Sequence, residues 1–387
     1  MSCSRAMSRS RELLQTLVGF DTTSRASNLQ LIEFVRDYLA GFGVACELVY
    51  NEERSKANLF ASLGPAQLPG IVLSGHTDVV PVDGQPWTVP PFELTEGDGK
   101  LFGRGTADMK GYIACVLALV PALVKANLRI PVHIALSYDE EVGCLGVRSL
   151  LAVLEQRPVK PMLCIIGEPT ELKPVLGHKG KLAMRCDVHG EACHSAYAPY
   201  GVNAIEHAAE LIGELGRIGQ RLREQQDPRF DPPFSTVQTG VISGGKVLNI
   251  VPADCRFDFE VRALPSMDPG EVAEELQAYA MQQVLPRMQA VSKHSAIRFT
   301  ELSAYPGLVT DERSQAAELI AAFSGSRDFG TVAFGTEGGL FDAVGIPTVV
   351  CGPGSMDQGH KPDEFVSIEQ LAGCDAMLER MLDSIRA

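Results

Sequence analysis

The 387-residue sequence predicts an α/β protein, in which a mixed central sheet flanked by helices is interrupted by a smaller α+β, ferredoxin-like insert. Two observations carry this. In the first and last parts of the chain, short apolar runs alternate with segments of helical periodicity, as strands buried between two helical layers require. In the middle the order becomes strand, helix, strand, strand, helix, strand, the split βαβ arrangement. The predicted division is residues 1–181 and 301–387 in one domain and 182–300 in the other, at about 100–200 residues per domain.

Taken in order, Leu29, Ile32, Val35 and Leu39 recur at helical spacing, with Ser27 or Asn28 as cap and Gly41 as stop. IVLS, beginning at Ile71, is a short buried strand. A helix opens near Gly111 and runs through VLALVPALVKA, where Pro121 is predicted to kink or break it. VHIALSY from Val132, LCII from Leu163 and TVVC from Thr348 are further buried strands. The insert reads as strands near 182–190, 235–243, 255–263 and 296–302, with helices near 202–222 and 269–284.

Composition narrows the function. Lys and Arg number 34 against 48 Asp and Glu, and the net charge of −14 argues against nucleic-acid or anionic-membrane partners, which need a basic face. The ten cysteines form no Cys-x-x-Cys, and Cys115, Cys164 and Cys351 lie in apolar runs, so reduced thiols in a cytoplasmic protein are expected. The start, MSCSRAMSRSRELLQTLV, lacks the apolar core of a secretory signal, and Glu12 with an early helical pattern argues against a transit peptide. The apolar stretch from Tyr112 to Val124 is too short to span a bilayer. Walker and G-x-S-x-G motifs are missing, and Gly103-Arg-Gly105 lacks the third glycine of a dinucleotide loop.

Ligand-type residues recur directly after the strands. His76 and Asp78 follow IVLS, Asp139-Glu140-Glu141 follows VHIALSY, and Glu168 follows LCIIG. Asp108 stands in GRGTADMKG before a helix, and His360 follows the last strand in GPGSMDQGHKPDEF. In an open α/β sheet these positions meet beyond the carboxyl ends of the strands. Two His with several carboxylates suit zinc. A carboxylate shared by two ions about 3.5–4 Å apart would clamp a hydrolytic water.

SGHTDVVP, GRGTADMKG, DEEVG, GEPT and the late GH-KPDEF loop resemble, in this order, the motifs of the co-catalytic zinc aminoacylase and carboxypeptidase family. The resemblance spans essentially the whole chain and implies a zinc-exopeptidase-like catalytic domain with two Zn2+ per subunit, replaceable by Co2+. It implies His76 and Glu168 on one ion, Glu141 and His360 on the other, Asp108 bridging, Asp78 orienting His76, and Glu140 as general base. Neighbouring residues at a strand end point different ways, so one carboxylate can hold metal while the other faces the water. A cis peptide after Asp108 is also implied.

The insert's GEACHSAYAPYGVNAI resembles the family's lid segment, which implies that His194 reaches across a homodimer, formed through this insert, to the substrate carbonyl; the alternative is a residue that completes hydrogen bonds at a strand–helix junction. Asn249 and Arg262 match positions that bind the α-carboxylate of an Nα-acyl amino acid, although Arg262 equally suits a strand-edge ion pair. Gly352 and Gly354 would let N–H groups approach the ligand. HKPDEFV, FGTEGGLF, LNIVPADCRFDFEVRALP and ELSAYPGL look like the acetylornithine deacetylase subgroup, with an aminoacylase, a succinyl-diaminopimelate desuccinylase, a dipeptidase or an inactive metal-binding relative as alternatives. Glu337, in FGTEGGLF, is either a loop charge or a receiver for a substrate ammonium.

Overall fold

A computed structural model describes residues 3–387; Met1 and Ser2, where the segment read for a leader begins, lie outside the described residues. Two compact units emerge. One takes the chain up to Gly177 with Leu308–Thr331 and Thr336–Ala387; the other is His178–Gly307 with Val332–Gly335.

The first unit is built on a nine-stranded sheet ordered Cys46–Tyr50, Ala57–Leu63, Val132–Ser137, Ile71–His76, Leu163–Pro169, Thr348–Gly352, Val175–His178 and Leu308–Val309, with Gly330–Val332 also pairing to Val175–His178. The four central strands run parallel, while Ala57–Leu63 and Val175–His178 run antiparallel to their neighbours, so the sheet is mixed. Helices Lys110–Lys125 and Ile368–Ile385 pack with Leu73, Ile134, Leu136, Ile165 and Val349 into one core. Helix Val147–Glu155 packs on Ala57–Leu63, and helix Gly338–Ala343 on Leu163–Pro169, Thr348–Gly352 and Leu308–Val309, with buried Leu150, Leu154 and Phe341.

Pro121 does not break its helix, which runs unbroken from Lys110 to Lys125. A proline removes the N–H that would bond the carbonyl four residues earlier, here that of Leu117. The Tyr38 hydroxyl from helix Leu29–Ala40 donates to that oxygen at 3.0 Å, so the orphaned acceptor is satisfied from outside. Asn28 precedes the latter helix but makes no side-chain cap; its amide instead bridges Ala57 and Thr77.

The second unit has a four-stranded antiparallel sheet ordered Thr236–Gly244, Asp254–Ala263, Gly180–His189 and Ala296–Tyr305. Taken in chain order this is 2-3-1-4, the ferredoxin-like pattern. Helix Ala204–Leu222 buries Ala208, Leu211, Leu215 and Ile218 on it. The second helix begins at Gly270 rather than Pro269 and continues past Val284 to Val291 through a π turn at Ala280–Val284. The cysteines from Cys46 onward are free thiols. Among the described residues, no helix is long and apolar enough to cross a membrane.

Candidate metal centre

The parallel strands deliver the ligand-type residues to one edge of the first unit. His76 ends Ile71–His76, with Asp78 just beyond; Asp139, Glu140 and Glu141 follow Val132–Ser137; Glu168 lies near the end of Leu163–Pro169. Asp108 precedes helix Lys110–Lys125, and the Asp108–Met109 peptide is cis. His360 comes from the loop after Thr348–Gly352 and holds a left-handed φ of 63°, a conformation uncommon for non-glycine residues.

Asp108 joins two groups. Its Oδ1 lies 2.9 Å from His76 Nε2 and its Oδ2 lies 3.2 Å from His360 Nε2. Glu168 Oε1 is 3.7 Å from the first imidazole, and Glu141 Oε2 is 3.0 Å from the second. The result is two trios, His76–Asp108–Glu168 and Asp108–Glu141–His360, each with its ligand atoms within 4.8 Å of one another. Imidazole nitrogen with carboxylate oxygen is a donor set that fits zinc and related divalent ions. Glu140 stands outside both trios, and its Oε1 accepts the Cys144 thiol at 3.4 Å.

Asp78 acts differently from the sequence expectation. His76 Nδ1 donates to the backbone carbonyl of Asp78 at 2.9 Å, which fixes the tautomer with Nε2 free to ligate. The Asp78 carboxylate is 3.6 Å from that nitrogen. It instead accepts the Ser24 hydroxyl at 2.7 Å and the N–H groups of Glu140 and Glu141 at 3.1 and 3.3 Å. It thereby anchors the turn that carries both glutamates.

Without a cation these groups strain one another. Burial pushes Glu168 and Glu140 well above the usual carboxylate range, and burial with the nearby Asp108 charge raises Glu141 to about 7. Burial opposes charge on His76, yet its hydrogen bond to Asp108 and the Glu168 carboxylate lift it well above its ordinary value. Hydrogen bonds to Asp108 and Glu141 raise His360 to about 10. Burial works against the Asp108 carboxylate, but hydrogen bonds from His360 and His76 hold it well below the ordinary range. Divalent cations would replace those protons and neutralise the cluster.

Sequence reasoning missed Glu364. It is 1% exposed, pairs with buried Arg104 at 2.6 Å, and accepts the N–H groups of Gly105, Ala107 and Asp108 at 2.9–3.1 Å. One carboxylate thus fixes the loop that presents Asp108. The signal was available, since an acid in HKPDEF and an arginine in GRGT are a complementary pair.

Two glycine assignments change. The Gly352 N–H is already donated to Thr170 Oγ1 at 3.2 Å and the Gly354 N–H to Gln370 Oε1 at 3.3 Å, so neither is open to a ligand. Glycine is required at 352 by packing, because a Cβ would lie 2.0 Å from the Gly167 carbonyl oxygen.

In the second unit, His194 is exposed at the start of the 3-10 turn Ser195–Tyr200, and its Nδ1 accepts the Ala196 N–H at 3.1 Å, leaving Nε2 as donor. Asn249 is exposed, and its backbone carbonyl accepts the Ser195 N–H at 3.0 Å. Arg262 pairs with Glu260 and contacts the Tyr305 hydroxyl, each at 3.3 Å. The ion-pair alternative is therefore the one adopted here.

A doubly wound sheet edge bearing two nitrogen–oxygen ligand trios around a shared carboxylate, beside an unligated glutamate, defines a class: the protein is a metal-dependent amidohydrolase. The chain belongs to Peptidase family M20/M25/M40, which it matches over residues 72–384. It is 34% identical over 369 residues to the acetylornithine deacetylase of Pasteurella multocida (strain Pm70), covering 95% of this chain and 94% of that one. It is 35% identical over 376 residues to the acetylornithine deacetylase of Myxococcus xanthus, covering 96% of each. In fold it is similar to the M20 family metallo-carboxypeptidase Sso-CP2 of Sulfolobus solfataricus, with a TM-score of 0.77, 18% identity, and 96% of this chain and 98% of that one covered.

Proposed function

We propose that this chain is a cytoplasmic di-zinc acetylornithine deacetylase, converting Nα-acetyl-L-ornithine and water to L-ornithine and acetate in arginine biosynthesis. The observation that carries the metal assignment is the division of the Asp108 carboxylate, one oxygen toward each imidazole. Whole-length likeness to acetylornithine deacetylases supports the substrate.

His76 and Glu168 would hold one ion, Glu141 and His360 the other, with Asp108 between them; Co2+ would serve in place of Zn2+. When bound, the ions supply Lewis acidity and make a water acidic near neutral pH. Glu140 takes the proton of that water as it attacks the amide carbonyl, then delivers it to the leaving α-amine. Asp78 holds the Glu140–Glu141 turn in register for this transfer. In the proposed homodimer, His194 of the second copy donates to the developing oxyanion, and Asn249 with Arg262 would receive the α-carboxylate of the substrate.

A homodimer through the inserted unit is part of the proposal. Strand Thr236–Gly244 is an edge of its sheet and exposes Val241 and Ile242, and the adjoining loop exposes Val247, Leu248 and Ile250. An apolar, unpaired edge of this kind favours association with a second copy.

The test is a substrate panel on zinc-loaded protein. kcat/KM for Nα-acetylornithine should exceed that for N-succinyl-diaminopimelate and simple dipeptides by at least about 10²-fold. A reversed order overturns the substrate while leaving the metal centre standing.

A further inference from the structure

Glu337 has no part in the chemistry above, and its surroundings do not explain it. It directly precedes helix Gly338–Ala343, is 1% exposed, and its Oε1 has no hydrogen-bond partner. Apart from Glu140, assigned above as general base, the acids around it are engaged. Asp78 accepts from Ser24 and two backbone N–H groups, Asp139 from Lys56 at 2.5 Å, and Glu364 from Arg104, while Asp108, Glu141 and Glu168 belong to the ligand trios. A buried carboxylate with one oxygen unpaired and no cation beside it is unfavourable and calls for a reason.

Its position supplies one. Glu337 is near enough to His76 and Asp78 to feel their charges, and its own charge acts on Glu140 and Cys144. Beside it lies Ser137, whose hydroxyl faces the carboxyl and favours its ionised form, and whose Cα pairs across the sheet with that of His76. An acid with no cationic partner therefore lies within electrostatic reach of His76, next to a strand residue paired with it. Burial also pushes its carboxyl up to about 7, so that a cation arriving beside it would restore the charged form.

We infer that Glu337 is a specificity-determining residue: its carboxylate, with the Ser137 hydroxyl, receives the side-chain ammonium of the Nα-acylated diamino acid. The inference rests on the acetylornithine reading above. A sheltered acid discriminates strongly, since a neutral side chain would leave it unpaired while a cationic one completes it.

The test compares zinc-loaded wild-type enzyme with Glu337→Gln, using Nα-acetylornithine and Nα-acetylnorvaline, which has the same carbon chain without the amine. The wild type should prefer the cationic substrate, and in the variant the ratio of the two kcat/KM values should fall by about 10²-fold. Glu337→Ala should give the same collapse, so the outcome does not hang on one replacement. Equal losses on both substrates would assign Glu337 a structural role and overturn the inference, as would an unchanged ratio. A wild type with no preference for the cationic substrate would instead overturn the acetylornithine reading, and this inference with it.

Discussion

Glu140 and Glu141 are adjacent, yet of the two carboxylates only that of Glu141 touches an imidazole, while that of Glu140 accepts the Cys144 thiol. Their roles should separate accordingly. Glu140→Gln should keep two equivalents of zinc by elemental analysis and lose about 10³-fold in kcat; near-normal turnover would remove Glu140 from the chemistry. Glu337 carries a second consequence at the same level. Its folded-state pKa of about 7 lies above the ordinary carboxylate value, so it lends stability that is full below the unfolded pKa near 4.5 and lost as pH rises through 7. In metal-free protein, Glu337→Gln should therefore gain over wild type by about 2 kcal/mol more at pH 8 than at pH 5.5 in denaturant titrations. A constant difference would mean that the carboxyl titrates normally. His76, Glu141 and Glu168 were legible because they closely follow apolar runs, and Asp108 and His360 because they stand in the loops GRGTADMKG and GPGSMDQGHKPDEF. The contact to His76 was not, because a backbone carbonyl leaves no mark in residue identity, and Asp78 makes that contact with its main chain.

Helix Lys110–Lys125 illustrates what local reading misses. Pro121 predicts a break when the helix is considered alone, yet Tyr38, distant in sequence, satisfies the Leu117 carbonyl that the proline leaves bare. Tyr38→Phe should destabilise the protein by about 1–2 kcal/mol in denaturant titration, and Pro121→Ala in the same background should recover most of that loss by restoring an N–H donor. If the two changes simply added, the hydroxyl would not be substituting for the missing N–H. The same limit hid Glu364, whose partners Arg104, Gly105, Ala107 and Asp108 are far away in the chain. Strands such as Val132–Ser137 and Leu163–Pro169 were readable because burial on both faces requires a continuous apolar run.

One unit carries the ligand-type side chains at the edge of its sheet, and the other has a smaller sheet with an exposed apolar edge. The alternating pattern of Asp254–Ala263 announced the second sheet, whereas its margins at His178 and Gly307 depend on contacts that periodicity does not encode. Leu248 is fully exposed, so Leu248→Glu should leave the fold and zinc content intact while shifting sedimentation from dimer to monomer and lowering activity at least tenfold. A wild type that sediments as a monomer would refute the proposed assembly. The claim on which the rest depends is that one aspartate holds two cations side by side. Anomalous scattering at the zinc edge from crystals of the zinc-loaded protein tests it most directly. Two peaks should flank Asp108, one among His76 and Glu168 and the other among Glu141 and His360; a single peak, or peaks away from Asp108, would contradict it.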